Sequence, residues 1–390
     1  MNKNGPVYLD YNSTTPVHPE VLEEMLPYLR ENFGNPSSAH SLGRKAKARI
    51  EEAREKTAAL VGADPREIIF CSGGTESDNL ALKGAAWSKP RDGSWTVLTS
   101  PVEHSAVLKT AEYLAGNGYR RRTARVYADG TVDLASVSEM LDEKVAVVSV
   151  MHSNNETGTI QPVAEISKIA RKRGVPTHSD AVQSAGKVRL DVRELGVDFL
   201  SLSAHKLYGP KGVGCLYVRN GVKIGPIVNG GGHERGLRAG TENVAGIIGF
   251  GKACEIAAKK IDSEALRISA LRDDLEKRLL SAIPSAFING RGGRRLPNTT
   301  NICFAPGIAE AVMIKCDLAG IAVSGGSACA SGSIEPSHVL MAMGVSRENA
   351  LGSIRISLGA GSTPADVEYA ARMLPKITAE ILSANSRQSV

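Results

Sequence analysis

The sequence predicts an α/β fold, with a mostly parallel central sheet flanked by helices and a smaller α+β domain attached. Three observations lead there. Short, nearly continuous apolar runs of β-rich residues alternate with helical segments through roughly residues 60 to 220, as a parallel sheet covered on both faces requires. From about residue 256 the pattern changes to a long charged helix, a strand-like run and a final helix. The 390 residues exceed what one small core organises, so we expect a large domain over 15–255 and a small one built from 1–14 and 256–390.

The alternation can be followed in order. "REIIFCS" leads into the helical "ESDNLALKGAAW", "WTVLTS" into "SAVLKTAEYLAG", and "KVAVVSVMHS" into "VAEISKIARKRG". "VPTHSD", "VDFLSLSA" and "GVGCLYVRN" read as three further strands. In the C-terminal part the charged helix is "SEALRISALRDDLEKRLLSAI", the strand is "TTNICFA", and the last helix lies in "TPADVEYAARMLPKITAEILSA". Ligands of such sheets bind beyond the carboxyl ends of the strands. The unusual polar residues cluster there.

Charge and composition narrow the function. The balance is 47 − 41 = +6, without a long basic tract; the short "YRRRTAR" at 119–125 reads as a solvated face, with a docking patch as the lesser reading. With only 4% aromatic residues there is no base-stacking platform, and no direct nucleic-acid partner is expected. The opening "MNKNGPVYLDYN" has no apolar signal region and no stretch suits a membrane span, so a cytoplasmic location is expected. Five of the six cysteines sit in apolar settings ("IIFCS", "VGCLYV", "KACEIA", "NICFA", "IKCDL") and read as small core residues. Lacking CxxC pairs, the chain is expected to hold neither a disulfide framework nor a structural metal.

"FCSGGTESDNLAL" (70–82) reads as strand, glycine turn and helix: Gly73 and Gly74 let the backbone approach a ligand, and Thr75 opens a helix whose free N–H groups favour a phosphate. Taken alone it is a common βα turn, and whether it binds anything stays open. Asp180 in "VPTHSDAVQSAG" is either a helix cap or the partner of a protonated ring nitrogen, with Gln183 three residues on. Asn154, Asn155 and Glu156 end another strand, and His104 in "PVEHSAV" is either a structural cap or a catalyst. In "SLSAHKLYGPKGVG" (201–214), Lys206 follows an apolar run beside Ser203 and His205. A lysine partly desolvated there has its ammonium form disfavoured and becomes a nucleophile. With a phosphate site and an acid for a pyridinium nitrogen, this is the equipment of pyridoxal 5′-phosphate chemistry.

The chain resembles the cysteine desulfurases, the NifS/IscS-like group of class V aminotransferases with fold type I. The likeness runs through "VYLDYNSTTPVHPEV", "FGNPSSAHSLGRKA", "SGGTESDN", "HSNNETGTIQP", "DAVQSAGK", "SLSAHKLYGPKGVG", "GGGHERGLRAGTEN", "SGGSACASGSIEPSHVL" and "SIRISLG" in the same order. It implies that Lys206 holds the cofactor as a Schiff base and that Gly74, Thr75, Ser203 and His205 contact its phosphate. Thr241 would reach the phosphate of the neighbouring subunit, which makes the enzyme a homodimer. Asp180 would pair with the pyridine nitrogen, Gln183 and Asn155 would lie near the ring hydroxyl, and His104 would stack on the ring. Asn35 and Arg355 would bind the carboxylate of the substrate, L-cysteine, Arg355 through paired donors.

The sixth cysteine differs from the rest. "SGGSACASGS" (324–333) has small residues and no apolar periodicity, so it reads as a mobile loop on which Cys329 is a reactive thiol. The resemblance makes Cys329 the sulfur-accepting residue, one that could transiently ligate an iron–sulfur cluster. Lys206 would remove the substrate α-proton with His104 assisting, and the Cys329 thiolate would take the sulfur as a persulfide. The sulfur would pass to an acceptor protein, an iron–sulfur scaffold or a sulfurtransferase, serving iron–sulfur cluster assembly, tRNA thiolation or DNA phosphorothioation. Rival readings are a selenocysteine lyase, a small-amino-acid aminotransferase and a non-catalytic sulfur-relay protein. A transaminase has no need of Cys329.

Overall fold

The computed structural model of the protein describes residues 6–325 and 335–388. After a two-residue strand, β1 (Val7–Tyr8), and two helices, Pro19–Arg30 and Ser41–Leu60, the chain builds its main sheet. The strands are β2 (Ile68–Cys71), β3 (Thr96–Thr99), β4 (Arg120–Thr123), β5 (Val145–Ser149), β6 (Thr177–Asp180), β7 (Phe199–Ser203) and β8 (Gly214–Val218). They lie in the order β2-β8-β7-β6-β5-β3-β4, and all run parallel except β8, which opposes both β2 and β7. Helices Gly74–Trp87, Ser105–Ala115 and Val163–Arg171 follow β2, β3 and β5. The expected strands and helices of this region are present. Every residue of β2, β3, β5, β6, β7 and β8 is buried, which explains the apolar character of all but β6, whose "THSD" is polar throughout.

The sequence reading missed β4. "RRRT" pairs with β3 at the sheet edge, with Arg120 and Arg121 exposed and Arg122 donating to Asp142 at 2.8 Å. A strand open on one side needs no apolar pattern, and its charges block pairing with another chain. The basic cluster is thus a solvated face and a strand at once.

The C-terminal part contains β9 (Phe287–Asn289), β10 (Thr299–Cys303), β11 (Ile321–Ala322) and β12 (Ser353–Ser357). Three of them form an antiparallel sheet in the order β12-β10-β9, while β11 pairs in parallel with β1. Val7 and Leu9 therefore pack in one apolar cluster with Leu275, Ile354 and Leu374, although the chain between them is long. A single 39-residue helix, Val244–Ala282, joins the two cores: Ile247, Phe250 and Cys254 enter the first, Ile268, Leu275 and Leu279 the second. The boundary expected at 255 falls inside this helix. Its first half was not anticipated because Gly246, Gly249 and Gly251 lower helix propensity.

Those glycines are there for packing. A Cβ on Gly251 would stand 2.6 Å from Ala53 Cα, so the helix meets Ser41–Leu60 backbone to backbone, and one on Gly249 would stand 2.5 Å from Sδ of Met25, whose side chain fills that gap from Pro19–Arg30. Among the described residues no helix is long and apolar enough to cross a membrane. Gly251→Ala should destabilise the protein: Ala adds about 1 kcal/mol of helix propensity, but crowding a packed backbone costs about 1–3 kcal/mol. A fall in the urea midpoint is the expected reading.

Candidate active site

Lys206 closes a short 3-10 turn, Ala204–Lys206, that follows β7 directly. The turn swings its side chain back under the N-terminal segment, where Nζ donates to the carbonyl oxygens of Asn12 at 2.6 Å and Ser13 at 2.7 Å. Burial pushes the Lys206 amine down to about 8, Arg355 adds to this, and Asp180 and Asp10 oppose it. Two residues on, Tyr208 takes a left-handed conformation, φ 66°, held by Thr15 Oγ1 accepting its N–H and by Ala360 N–H donating to its hydroxyl. The chain turns sharply there so that the amine stays inside.

That amine opens into a cavity of about 700 Å³ at the carboxyl ends of the strands. Gly74, Thr75, His104, Asn155, Asp180, Gln183, Ser203, His205 and Arg355 line it together with Lys206. Ten of the expected site residues, Lys206 included, therefore share one cavity. The helix Gly74–Trp87 begins at the wall, and its N-cap, Gly73, supplies no side-chain cap. A Cβ on Gly74 would come 2.7 Å from Val182 Cγ2, so that position admits only glycine without a shift.

Burial sets the charges. Asp180 accepts from Val182 N–H at 2.9 Å and is pushed up to about 7 by burial and the Asp78 charge, against the pull of His104. His104 is at once the N-cap of helix Ser105–Ala115, Nδ1 accepting from Ala106 N–H at 3.2 Å, and a cavity residue. The ring proton of its neutral form thus sits on Nε2, and burial lowers its affinity for a second. His205 contacts Thr14 Oγ1 through Nδ1 at 3.1 Å, and burial with three nearby lysines takes it down to about 4. His104 thus caps a helix and lines the cavity with one side chain, whereas Asp180 caps only a turn, since no helix follows it.

Arg355, on β12, is 4% exposed and donates to Asp10 Oδ1 at 2.8 Å, Ser13 Oγ at 2.6 Å and Asn155 O at 3.2 Å. Its Nε is buried without a partner. Sequence reasoning missed Asp10, Asn12, Ser13 and the cavity-lining Asp78, and it missed His178 and Glu103, which are buried and line no part of the cavity. For His178 the available signal was the polar "THSD" set among apolar strands; the others carried none. His178 Nδ1 lies 2.8 Å from Ser149 Oγ and Nε2 3.0 Å from Ser201 Oγ and 3.5 Å from Asp78 Oδ1.

Three expected residues stand apart. Asn35 is exposed, its side chain accepting from Ser37 N–H at 2.9 Å, and Thr241 is exposed and lines no part of this cavity. The loop leading to Thr241 is pinned by Glu234, which accepts twice from Arg54 at 2.8 Å and once from Phe70 N–H at 2.7 Å. Cys329 lies outside the described residues. The chain leaves them beside Arg355, whose N–H donates to Ser324 O at 2.7 Å, and re-enters where Ser337 Oγ donates to Glu156 at 2.5 Å. The other five cysteines are free and buried, and burial raises every one of these thiols, Cys254 and Cys316 to about 12.

The donor set suits pyridoxal 5′-phosphate: an uncapped helix start with Ser203 and His205 for a phosphate, a depressed amine for an aldehyde, and a buried acid for a ring nitrogen. Asp78 gives a pH test. Burial raises it to about 7, so its favourable term is complete below the usual carboxylate range and is lost as pH rises through about 7. Asp78→Asn removes that loss. The variant's gain in urea midpoint over the parent should be larger at pH 8.5 than at pH 5.

Comparison with known proteins agrees with this geometry. Residues 7–370 match the family described as aminotransferase class-V. A cysteine desulfurase IscS of Dictyoglomus turgidum is 49% identical over 371 residues, 95% of this chain and 94% of that protein. Among solved structures, a NifS-like protein superposes with a TM-score of 0.89 at 41% identity, covering 96% of this chain and 99% of the other. A structure described as SspA in complex with cysteine gives 0.81 at 37% identity, over 90% and 98%. The chain therefore belongs to the class-V aminotransferases, in the NifS/IscS-like group of cysteine desulfurases.

Proposed function

We propose that the cavity binds pyridoxal 5′-phosphate and L-cysteine and that the sulfur leaves on Cys329, giving L-alanine. The observation that carries this is the meeting of a depressed lysine amine, a buried acid and a guanidinium with a spare donor in one cavity. Bound there, the cofactor supplies a conjugated ring that accepts the electron pair released at the substrate's α carbon. Gly74, Thr75, Ser203 and His205 would hold its phosphate, Asp180 its ring nitrogen, Asn155 and Gln183 its ring hydroxyl, and His104 one ring face.

The protein's own groups then divide the work. Arg355 binds the substrate carboxylate and fixes which α bond faces Lys206. With an amine near 8, Lys206 is partly unprotonated at neutral pH and takes the α-proton at Nζ. His104, held neutral with its proton on Nε2, moves a proton on the opposite side. The Cys329 thiolate attacks the substrate sulfur; the carbon–sulfur bond breaks with its electron pair passing to carbon, which is then protonated. Cys329 comes five positions after Ser324 on the cavity wall, so the chain's reach confines it to within about 18 Å of that wall. The other five thiols are buried and protonated, which leaves Cys329 as the nucleophile.

In this reading the enzyme is a homodimer: Thr241, exposed on its pinned loop, serves the partner subunit's cavity, and Asn35 completes the carboxylate site. The halves on either side of residue 255 act as a cofactor lobe and a lobe bearing Arg355 and Cys329. A sulfur-acceptor protein collects the persulfide.

Lys206→Ala should bind no cofactor covalently and lose the yellow colour. Cys329→Ser should keep the colour yet release no sulfide from cysteine, and full turnover by that variant would refute the persulfide step. Arg355→Lys keeps the charge but loses the fork; with hydrogen bonds to charged groups contributing about 1.5–3 kcal/mol, KM for cysteine should rise roughly tenfold or more.

A further inference from the structure

Asn12, a residue of the loop after β1, is 1% exposed and has every polar atom engaged. Its N–H donates to Ser357 Oγ at 2.9 Å, and its side-chain amide donates to Thr299 Oγ1 at 2.8 Å and Asn155 O at 3.1 Å. Its side-chain oxygen accepts from Asn298 Nδ2 at 2.9 Å and stands 3.5 Å from Lys187 Nζ. Its carbonyl accepts from Gln183 Nε2 at 2.9 Å and Lys206 Nζ at 2.6 Å. Ser357, Thr299 and Asn298 belong to or adjoin the C-terminal sheet; Asn155, Gln183, Lys187 and Lys206 belong to the carboxyl ends of the main one. One side chain therefore fixes the position of a carbonyl relative to both sheets.

Lys206 needs such a fixed point. A free four-carbon side chain carries roughly 2 kcal/mol of rotamer entropy, and an amine that serves alternately as covalent anchor and as base must return to one place each time. The groups facing it are Asp180, His104 and His205 from the main sheet, Lys187 from the segment after β6, Asp10 from the N-terminal segment and Arg355 from β12. None of these lies within hydrogen-bonding distance of its Nζ, whereas the carbonyls of Asn12 and Ser13 both do.

We propose that Asn12 is a positioning residue for Lys206: by tying the two sheets together, its side chain holds the carbonyls of Asn12 and Ser13 as a berth for the ε-amino group whenever that group is not covalently engaged. The berth favours the ammonium form, because a carbonyl oxygen accepts from it. Lys187 supports the arrangement from behind, donating to Gln183 O at 3.0 Å and Gln183 Oε1 at 2.9 Å, so that the Gln183 amide keeps its N–H on Asn12. This role rests on the reading of Lys206 as the cofactor lysine.

The test reads the amine directly. Full-length protein freed of cofactor is labelled with acetic anhydride across pH 6 to 10, and modification of Lys206 is followed by mass spectrometry, with the half-exposed Lys315 as internal control. In Asn12→Ala, Lys206 should label roughly tenfold faster at pH 7, the change produced by a drop of one unit in its protonation midpoint, while Lys315 is unchanged. Thr299→Val, which removes the acceptor of the Asn12 amide from outside the cavity, should move it in the same direction and decides the matter should Asn12→Ala not fold. Reloaded with cofactor, both variants should lose kcat more than they gain KM. Unchanged Lys206 labelling in a folded variant would overturn the berth. Failure of borohydride to fix the cofactor to wild-type Lys206 would instead overturn the assignment of the lysine, and the labelling result would stand independently.

Discussion

Removing one amine from water is the constraint on which the rest of the site depends. An ammonium in solvent is a weak nucleophile and a weak base; at the end of β7, with most of its hydration replaced by two carbonyl oxygens, Lys206 is down at about 8. Much of the surrounding architecture serves this. The 3-10 turn folds the side chain back, the left-handed Tyr208 bends the chain away, and the loop after β1 covers it.

The same desolvation acts on the acids and histidines below the cavity, in opposite directions. Asp78 and Asp180 rise to about 7 and Glu103 to about 8, whereas His152 and His178 fall to about 4. Few of these groups carry full charge near neutral pH, which is how so many ionisable side chains share a small buried volume. Asp180 and Asp78 both line the cavity, and a protonated ring nitrogen beside Asp180 would supply the counter-charge its surroundings lack.

Mechanical coupling between the sheets is concentrated in few residues. Arg355 comes from the C-terminal sheet but is held by Asp10, Ser13 and Asn155. The long helix Val244–Ala282 runs through both cores, and its glycines allow contact close enough for it to act as a common axis. A substrate held between Arg355 and Lys206 therefore touches both halves of the molecule. Relative motion of the halves would change the distance between carboxylate and base.

Much of this was legible in the chain. Short β-rich runs marked the six buried strands, five of them through apolar residues, and polar residues at the strand ends marked Thr75, Asp180 and Lys206, because desolvated strands and tight turns each demand particular residue types. The edge strand β4 was not legible, since a strand open to water needs no apolar face, nor was the glycine-rich start of the long helix, whose helicity comes from packing against neighbours distant in sequence. Asn12, Asp78 and Glu103 were also silent. Their roles arise from burial and from partners far away in the chain, such as Thr299, Ser357 and His178. By itself, then, the sequence determined which strands, which turns and which reactive side chains exist, through local stereochemistry and hydrophobic pattern. Only the tertiary structure decided which of those side chains lose their water and against what, because desolvation and charge pairing depend on distances between residues that the chain order keeps apart.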